Sequence, residues 1–469
     1  MRTPGVTAED DSDRLHPRNK RLETKMGNTV ETDASIAGAV DGEIERVTAE
    51  RLRIRRAVIA SGFGTFVEYF DFSLYAFFAT VIADTFFPAG NRTTALLYTF
   101  GIFAASFVMR PLGGILLGHI GDRIGRRPAL GLSVGGMALA SALIGCVPSY
   151  AEIGVAAPLL LLGLRCIQGI SAGGEMGGAQ AYVIEVAPER ERGYLTGLVS
   201  LALLAGTLFG AVSSVFVHSI FDAKALADWA WRLPFLISLP LGIITLVLRS
   251  QMEESRAFTR MEERGTVERM PVVAILRDNL RELLIVCGVS GGNLMLFYMT
   301  VAYMPTYFQR ENLMSGTAAA WSTALTLIGG MFAIPFWARL SDRVGRRPIL
   351  LAASLGTVLA AYPVYLVMPW SVTAAAIAQI ALGQLEAMWI SVAYATYCEQ
   401  FSARVRSSGV SLGCNLSSIL AAGPAPYLAT WLIPAIGRVH APALMLIVFS
   451  LLSAAAVWGA RETAGQPLV

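Results

Sequence analysis

The chain has 469 residues, 54% of them hydrophobic and only 15% charged, with a mean hydropathy of +0.55. That balance is too apolar for a soluble globular chain of this size, so most of it has lipid as its solvent. The formal net charge is +3 and no nucleic-acid partner is expected, while five cysteines scattered without metal or redox spacing are read as packing residues and imply neither a metal nor a cofactor.

Residues 1–50 are polar, rich in Asp, Glu, Thr and Arg, and lack an apolar h-region. They are expected to be a disordered cytoplasmic tail rather than a signal peptide. Twelve apolar runs follow, each long enough to cross a ~30 Å hydrocarbon layer as a helix. They are 57–83, 94–119, 129–147, 157–183, 194–220, 231–249, 282–308, 316–338, 348–368, 373–398, 408–432 and 440–460.

The first run carries Glu68, Asp71 and Tyr75, spaced three and four apart and so on one helical face. The second carries Arg110 and ends in the loop "GDRIGRRP", residues 121–128. The fourth carries Arg165, Gln168 and Glu175, the last inside the Gly-rich "SAGGEMGG", and Glu185 and Arg192 follow it. The polar stretch 250–280 reads as an amphipathic cytoplasmic connector. The seventh run, "GGNLMLFYMTVAYMPTYF", has Asn293, Tyr298, Tyr303 and Tyr307, with Pro305 placed to kink it. The eighth ends in "SDRVGRRP", residues 341–348, and the tenth carries Glu386 before Glu399 and Arg406.

The loop therefore occurs twice, and from Asp to Pro six of its seven positions are identical. Glu185 precedes Arg192 by seven residues, and Glu399 precedes Arg406 by the same interval. Two six-helix halves of one design, 51–249 and 281–460, suit a protein that rocks its halves about a central site. Residues 461–469 form a short C-terminal tail. Arginine crowds alternate loops, which by the positive-inside rule makes both termini cytoplasmic.

Within the membrane, Glu68 and Arg110 come out roughly 18 Å from one edge and Asp71 about 22 Å, at 1.5 Å per residue. Arg165 enters about 12 Å below the opposite surface by the same count. Charge at such depth is costly unless paired or wet, and marks function by default. Two acids and two arginines in one slab suit a proton-coupled site. Glu68 or Asp71 would carry the proton, while Arg110 or Arg165 would pair with it or grip a substrate carboxylate through two parallel hydrogen bonds. A static salt bridge between helices is the plainer reading of any one of these residues. Gln168, Glu175 and Glu386 are further polar candidates, and Tyr75, Asn293 and Tyr298 could bind a small polar solute.

These residues also carry a resemblance. "GHIGDRIGRR" at 118–127 resembles the loop 2–3 motif of the major facilitator superfamily, 338–347 resembles its second-half counterpart, and "RCIQG" at 165–169 resembles its helix-four motif. "VEYFDFSLY" (67–75), "RPLGGILLGHIGDRIGRR" (110–127), "RCIQGISAGGEMGGA" (165–179) and "WRLPF" (231–235) resemble the metabolite:proton symporter family. The resemblance covers about residues 55–460. It implies an all-α integral membrane fold of twelve transmembrane helices in two pseudo-symmetric six-helix bundles, in the cell membrane.

It also implies that the doubled loops latch the cytoplasmic side while the site faces outward. The first latch would use Asp122, Arg123, Gly125, Arg126, Arg127, Glu185 and Arg192. The second would use Asp342, Arg343, Gly345, Arg346, Arg347, Glu399 and Arg406. An Asp in this loop can accept hydrogen bonds from arginines or sit at the positive N-terminus of a neighbouring helix.

The expected function is proton-coupled uptake of a small organic metabolite by alternating access, with no enzymatic activity and no cofactor beyond the proton gradient. The transporter is expected to act as a monomer. The family takes carboxylates such as 2-oxoglutarate, citrate and shikimate and zwitterions such as proline and betaine, and the buried arginines lean towards an anion. Its osmolyte-sensing members carry a long C-terminal coiled coil, and a chain that stops about ten residues after its last run points away from them. An antiporter or exporter of the same fold is the alternative. The fifth run, "GYLTGLVSLALLAGTLFGAVSSVF", lacks the Gly-Pro element of antiporter families. A membrane enzyme or sensor is the remaining class, but no phosphate-binding loop, metal-ligand cluster or nucleophile constellation appears.

Overall fold

The computed structural model describes residues 1, 16–88, 90–124, 126–173, 176–250 and 271–468. The chain divides into two units, Met1–Arg55 and Arg56–Val469. In the first, residues 16–50 have helical backbone, where a disordered tail was expected. After Pro17, which a helix tolerates in its first turn, no proline occurs before Pro88, and Glu, Lys, Arg and Ala favour helix.

The helices in order are α1 (His16–Phe77), α2 (Ala79–Phe86), α3 (Arg92–Ile124), α4 (Arg126–Ile144), α5 (Tyr150–Ile153), α6 (Ala156–Gly173), α7 (Met176–Val186), α8 (Arg192–Ile220), α9 (Ala223–Asp228) and α10 (Leu233–Ser250). They continue with α11 (Pro271–Asp278), α12 (Leu280–Phe297), α13 (Met304–Arg310), α14 (Gly316–Val344), α15 (Arg346–Val367), α16 (Val372–Gln400), α17 (Arg406–Ser417), α18 (Pro424–Ile436) and α19 (His440–Gly459). Among the described residues, ten helical stretches are long and apolar enough to cross a membrane, and the pair bent by 62° around Phe78 makes up to an eleventh. The expected run 129–147 corresponds to a shorter apolar helix, Gly131–Ile144. It stops there because a turn at Gly145 leads into Val147, whose place before Pro148 disfavours helix.

The same pairings recur in both halves. α3 packs on α6 and α4 on α10, as α14 packs on α16 and α15 on α19. Between the halves, α8 runs against α14 and α16, α7 meets α17, and α3 meets α18. Small residues permit these approaches: a Cβ on Gly173 would lie 1.8 Å from the Arg110 carbonyl oxygen, and one on Gly169 would lie 2.0 Å from that of Ser106. The contact fixes the register that brings Arg110 of α3 close to Arg165 of α6.

Two π-helical turns interrupt spans of the second half, at Tyr298–Tyr303 and Ser418–Ala422. Each is followed by a proline in the first turn of the next helix, Pro305 and Pro424. A proline removes one amide and crowds the carbonyl four residues earlier, so the preceding turn widens.

Candidate functional site

Four charged side chains lie buried in the middle of the first bundle: Glu68, Asp71, Arg110 and Arg165. The shared helical face of Glu68 and Asp71 does not carry them to one partner. Glu68 Oε1 meets Arg110 Nη2 at 3.3 Å. Asp71 turns into the bundle, where Oδ2 accepts from Ser141 Oγ at 2.8 Å and Oδ1 accepts from Ser238 Oγ. Three residues subtend about 300° on a helix, enough for the two acids to address different neighbours.

Arg165 reaches Asp71 through a relay. Its Nη1 donates to Gln168 Oε1 at 2.7 Å, and Gln168 Nε2 donates to Ser141 Oγ at 2.5 Å, whose hydroxyl serves Asp71. Ser141 and Ser238 are functional candidates that sequence reasoning missed, since a lone serine in an apolar run carries no distinguishing signal.

Aromatic rings cover both guanidinium groups. That of Arg165 lies 4.1 Å from the Tyr75 ring centroid and 5.1 Å from that of Phe72, and that of Arg110 lies 4.5 Å from Phe72 and 4.7 Å from Phe107. Such stacking stabilises a cation where water is excluded. The Tyr75 hydroxyl itself donates to the Thr99 carbonyl at 3.0 Å. On Arg165, Nε and Nη2 are buried without a hydrogen-bond partner among the described residues.

The second bundle closes over this assembly with Tyr298, which stands edge-on to Phe103 and Phe107. The Tyr69 and Tyr394 hydroxyls meet across the boundary at 3.5 Å. Tyr69 and Phe72 from α1, with Phe297 and Tyr298 opposite, line a cavity with room for about one water. Asn293 donates to Glu386 Oε1 at 2.9 Å.

At the arginine-rich end, Asp342 caps a helix of the opposite half. Its Oδ1 accepts from the amide of Gly193 and its Oδ2 from that of Tyr194, each at 2.9 Å, at the start of α8. Arg346 donates to Asp342 at 2.8 Å and grips Glu399 through Nε and Nη2 at 3.2 and 3.1 Å. Glu185 pairs with Arg406 at 3.3 Å, again across the boundary. Gly345 adopts φ 108°, where a side chain would be strained and would strike Glu462.

The tail adds to this end. The carboxylate of Glu462 accepts the amides of Arg346 and Arg347 at 2.8 and 3.0 Å, and Arg192 donates to the Gln466 carbonyl at 2.6 Å. Arg347 donates to the Trp458 carbonyl at 2.9 Å. Arg343 departs from the expected latch: it is exposed near the end of α14 and makes no hydrogen bond or ion pair among the described residues. Gly125, the side chains of Asp122, Arg123, Arg126 and Arg127, and Glu175 lie outside the described residues.

A family model described as "Sugar (and other) transporter" matches residues 57–272, and one described as "Major Facilitator Superfamily" matches 286–468. The proline/betaine transporter of Escherichia coli (strain K12) is 32% identical over 426 residues, covering 89% of this chain and 85% of that one. The citrate-proton symporter of Klebsiella pneumoniae is 33% identical over 418 residues, 87% of this chain and 89% of that one. The alpha-ketoglutarate permease of Escherichia coli (strain K12) is 33% identical over 377 residues, 80% and 86%. Among solved structures, a D-xylose-proton symporter superposes with a TM-score of 0.70 at 18% identity, covering 89% of this chain and all of that one, a likeness of fold.

Proposed function

The chain belongs to the major facilitator superfamily, in its metabolite:proton symporter branch, and from that premise we propose that it takes up a small carboxylate-bearing solute together with protons. It is an integral membrane transporter and not an enzyme. The named solutes of its relatives fall into two groups, osmolytes such as proline and betaine and acids such as citrate and alpha-ketoglutarate. Every one of these molecules carries a carboxylate.

The observation that carries the reading is the free edge of Arg165. Its Nε–H and Nη2–H are the pair of parallel donors that a carboxylate accepts bidentately, and both are buried without a partner among the described residues. Buried donors left unmade are costly, so this edge calls for an acceptor that arrives with the solute. Glu68, paired with Arg110, and Asp71, linked to Arg165 through Gln168 and Ser141, are the proton carriers of this reading. The solute would enter where the one-water cavity now separates the bundles, once they move apart. The hydrogen-bonded end of the molecule, with both termini, is read as cytoplasmic from its arginines.

Uptake of radiolabelled carboxylates and betaines by vesicles with an imposed pH gradient tests the proposal. Accumulation of at least one carboxylate-bearing solute should require the inward proton gradient and cease with a protonophore. Accumulation indifferent to the protonophore would overturn it.

A further inference from the structure

Beyond the acids of the first bundle stands one more carboxyl in the middle of the second. Glu386 lies fourteen residues from each end of α16, roughly 21 Å along the helix from either one. It is the only Asp, Glu, Lys or Arg in the stretches 283–309, 312–338, 348–398, 407–437 and 441–460. Its side chain is buried, and Asn293 of α12 donates to Oε1 at 2.9 Å. Oε2 is buried with no hydrogen-bond partner among the described residues.

What surrounds Glu386 decides its charge. Asn293 faces it from α12, and the Tyr397 hydroxyl on its own helix lies within reach of its field. No charged side chain acts on it from any neighbouring helix among the described residues. An isolated carboxylate out of water, with one amide for a partner, is far less favourable than the acid. One carboxyl and one amide are too few oxygen ligands for a metal ion, and no cluster of three metal-ligating side chains occurs among the described residues. The remaining occupant is a proton on Oε2. Asn293 is also one helical turn from Phe297, which lines the cavity between the bundles, so a parting of the bundles brings water towards the pair.

We propose that Glu386 and Asn293 form a second proton-binding site, in the bundle opposite the first. Glu386 is a neutral acid in the closed state and releases its Oε2 proton to water as a hydronium ion when its bundle is hydrated, leaving a carboxylate that takes a proton back in the next cycle. The transporter then moves at least two protons per solute, one through the Glu68/Asp71 assembly and one through Glu386. This rests on the proton-coupled reading above.

Two measurements on purified, reconstituted protein test it. Infrared spectra of the ligand-free protein should show a protonated-carboxyl C=O band that disappears in Glu386→Gln and shifts in Asn293→Leu, which removes the amide that donates to Oε1. In proteoliposomes, citrate, 2-oxoglutarate, proline and betaine are tried in turn, and the logarithm of accumulation of the transported solute is followed against the imposed proton gradient. Glu386→Gln should still concentrate the solute, with a slope lower by one proton. An unchanged slope in that variant, or an infrared band that the substitution leaves in place, overturns the second site while the first stands. Wild-type uptake indifferent to the gradient overturns both.

Discussion

Asp342 and Gly193 belong to opposite bundles, yet the carboxylate of one closes the first turn of the other's helix at 2.9 Å. A helix N-terminus presents unpaired amides and a partial positive charge, and Asp342 answers both while Arg346 balances its charge. Gly193 leaves the room required, since a Cβ there would lie 2.2 Å from Arg346 Nη1. On the alternating-access reading proposed above, the contact would hold only while this end is shut and would act as a latch between states rather than as part of either bundle's fold.

Asp342→Asn should therefore shift the balance of states and leave the fold intact. Losing the charge and one acceptor costs about 1–3 kcal/mol, which moves a two-state equilibrium roughly 5- to 150-fold towards opening at this end. Ser200, whose hydroxyl donates to the Ile390 carbonyl across the same seam at 3.1 Å, is a buried reporter. A Ser200→Cys probe should react faster in the Asp342→Asn background, and equal rates would remove the latch.

Glu68→Gln and Asp71→Asn should each abolish concentrative uptake while sparing exchange of solute across the membrane, because exchange does not require the proton to be released. The amides are the informative changes. Replacing Arg110 by alanine would strand a buried charge, about 3–5 kcal/mol of instability unrelated to transport. Full accumulation by both single variants would take these carboxylates out of the mechanism.

The Glu462 carboxyl carries a pH dependence of its own. Partial burial alone would raise it, but backbone hydrogen bonds from Arg346, Arg347, Ala464 and Thr463 outweigh that and hold it below its ordinary range. A depressed folded value contributes stability that is complete above the unfolded value, about 4.3, and is lost as pH falls through the folded one. The tail should thus stay docked from neutral pH down to about 5 and loosen only in stronger acid. Hydrogen exchange across 460–468 reads this out. Glu462→Gln, which sets a donor against the Arg347 amide, should raise exchange already at neutral pH, and identical exchange in the two proteins would contradict the strap.

Orientation can be read with single cysteines. Lys224 and Glu189 are both exposed, the first in the short helix α9 and the second in the turn before α8, at opposite ends of α8. Lys224→Cys should be labelled by an impermeant reagent on intact cells and Glu189→Cys only after the membrane is opened. The reverse pattern would invert the topology drawn from the arginines.

Much of this was legible in the residues themselves. A lipid-solvated chain follows from composition, the spans from runs of apolar residues, the two-bundle plan from the doubled loop, and the family from motifs spread over both halves. Glu68, Asp71, Arg110 and Arg165 stood out because ionisable groups at membrane depth are rare enough to be informative one at a time.

Tertiary structure decided which of these residues meet. Sequence spacing puts Glu68 and Asp71 on one face, but the packing of neighbouring helices sends one to Arg110 and the other to Ser141 and Ser238. No sequence signal marks those serines, because a small hydroxyl in an apolar helix can equally bond its own backbone. The Asp342 cap, the Glu462 strap and the isolation of Glu386 likewise depend on residues far apart in the chain. Apolarity and periodicity are local properties that one helix carries alone, whereas a hydrogen bond between helices exists only at the register that close packing of their small residues imposes.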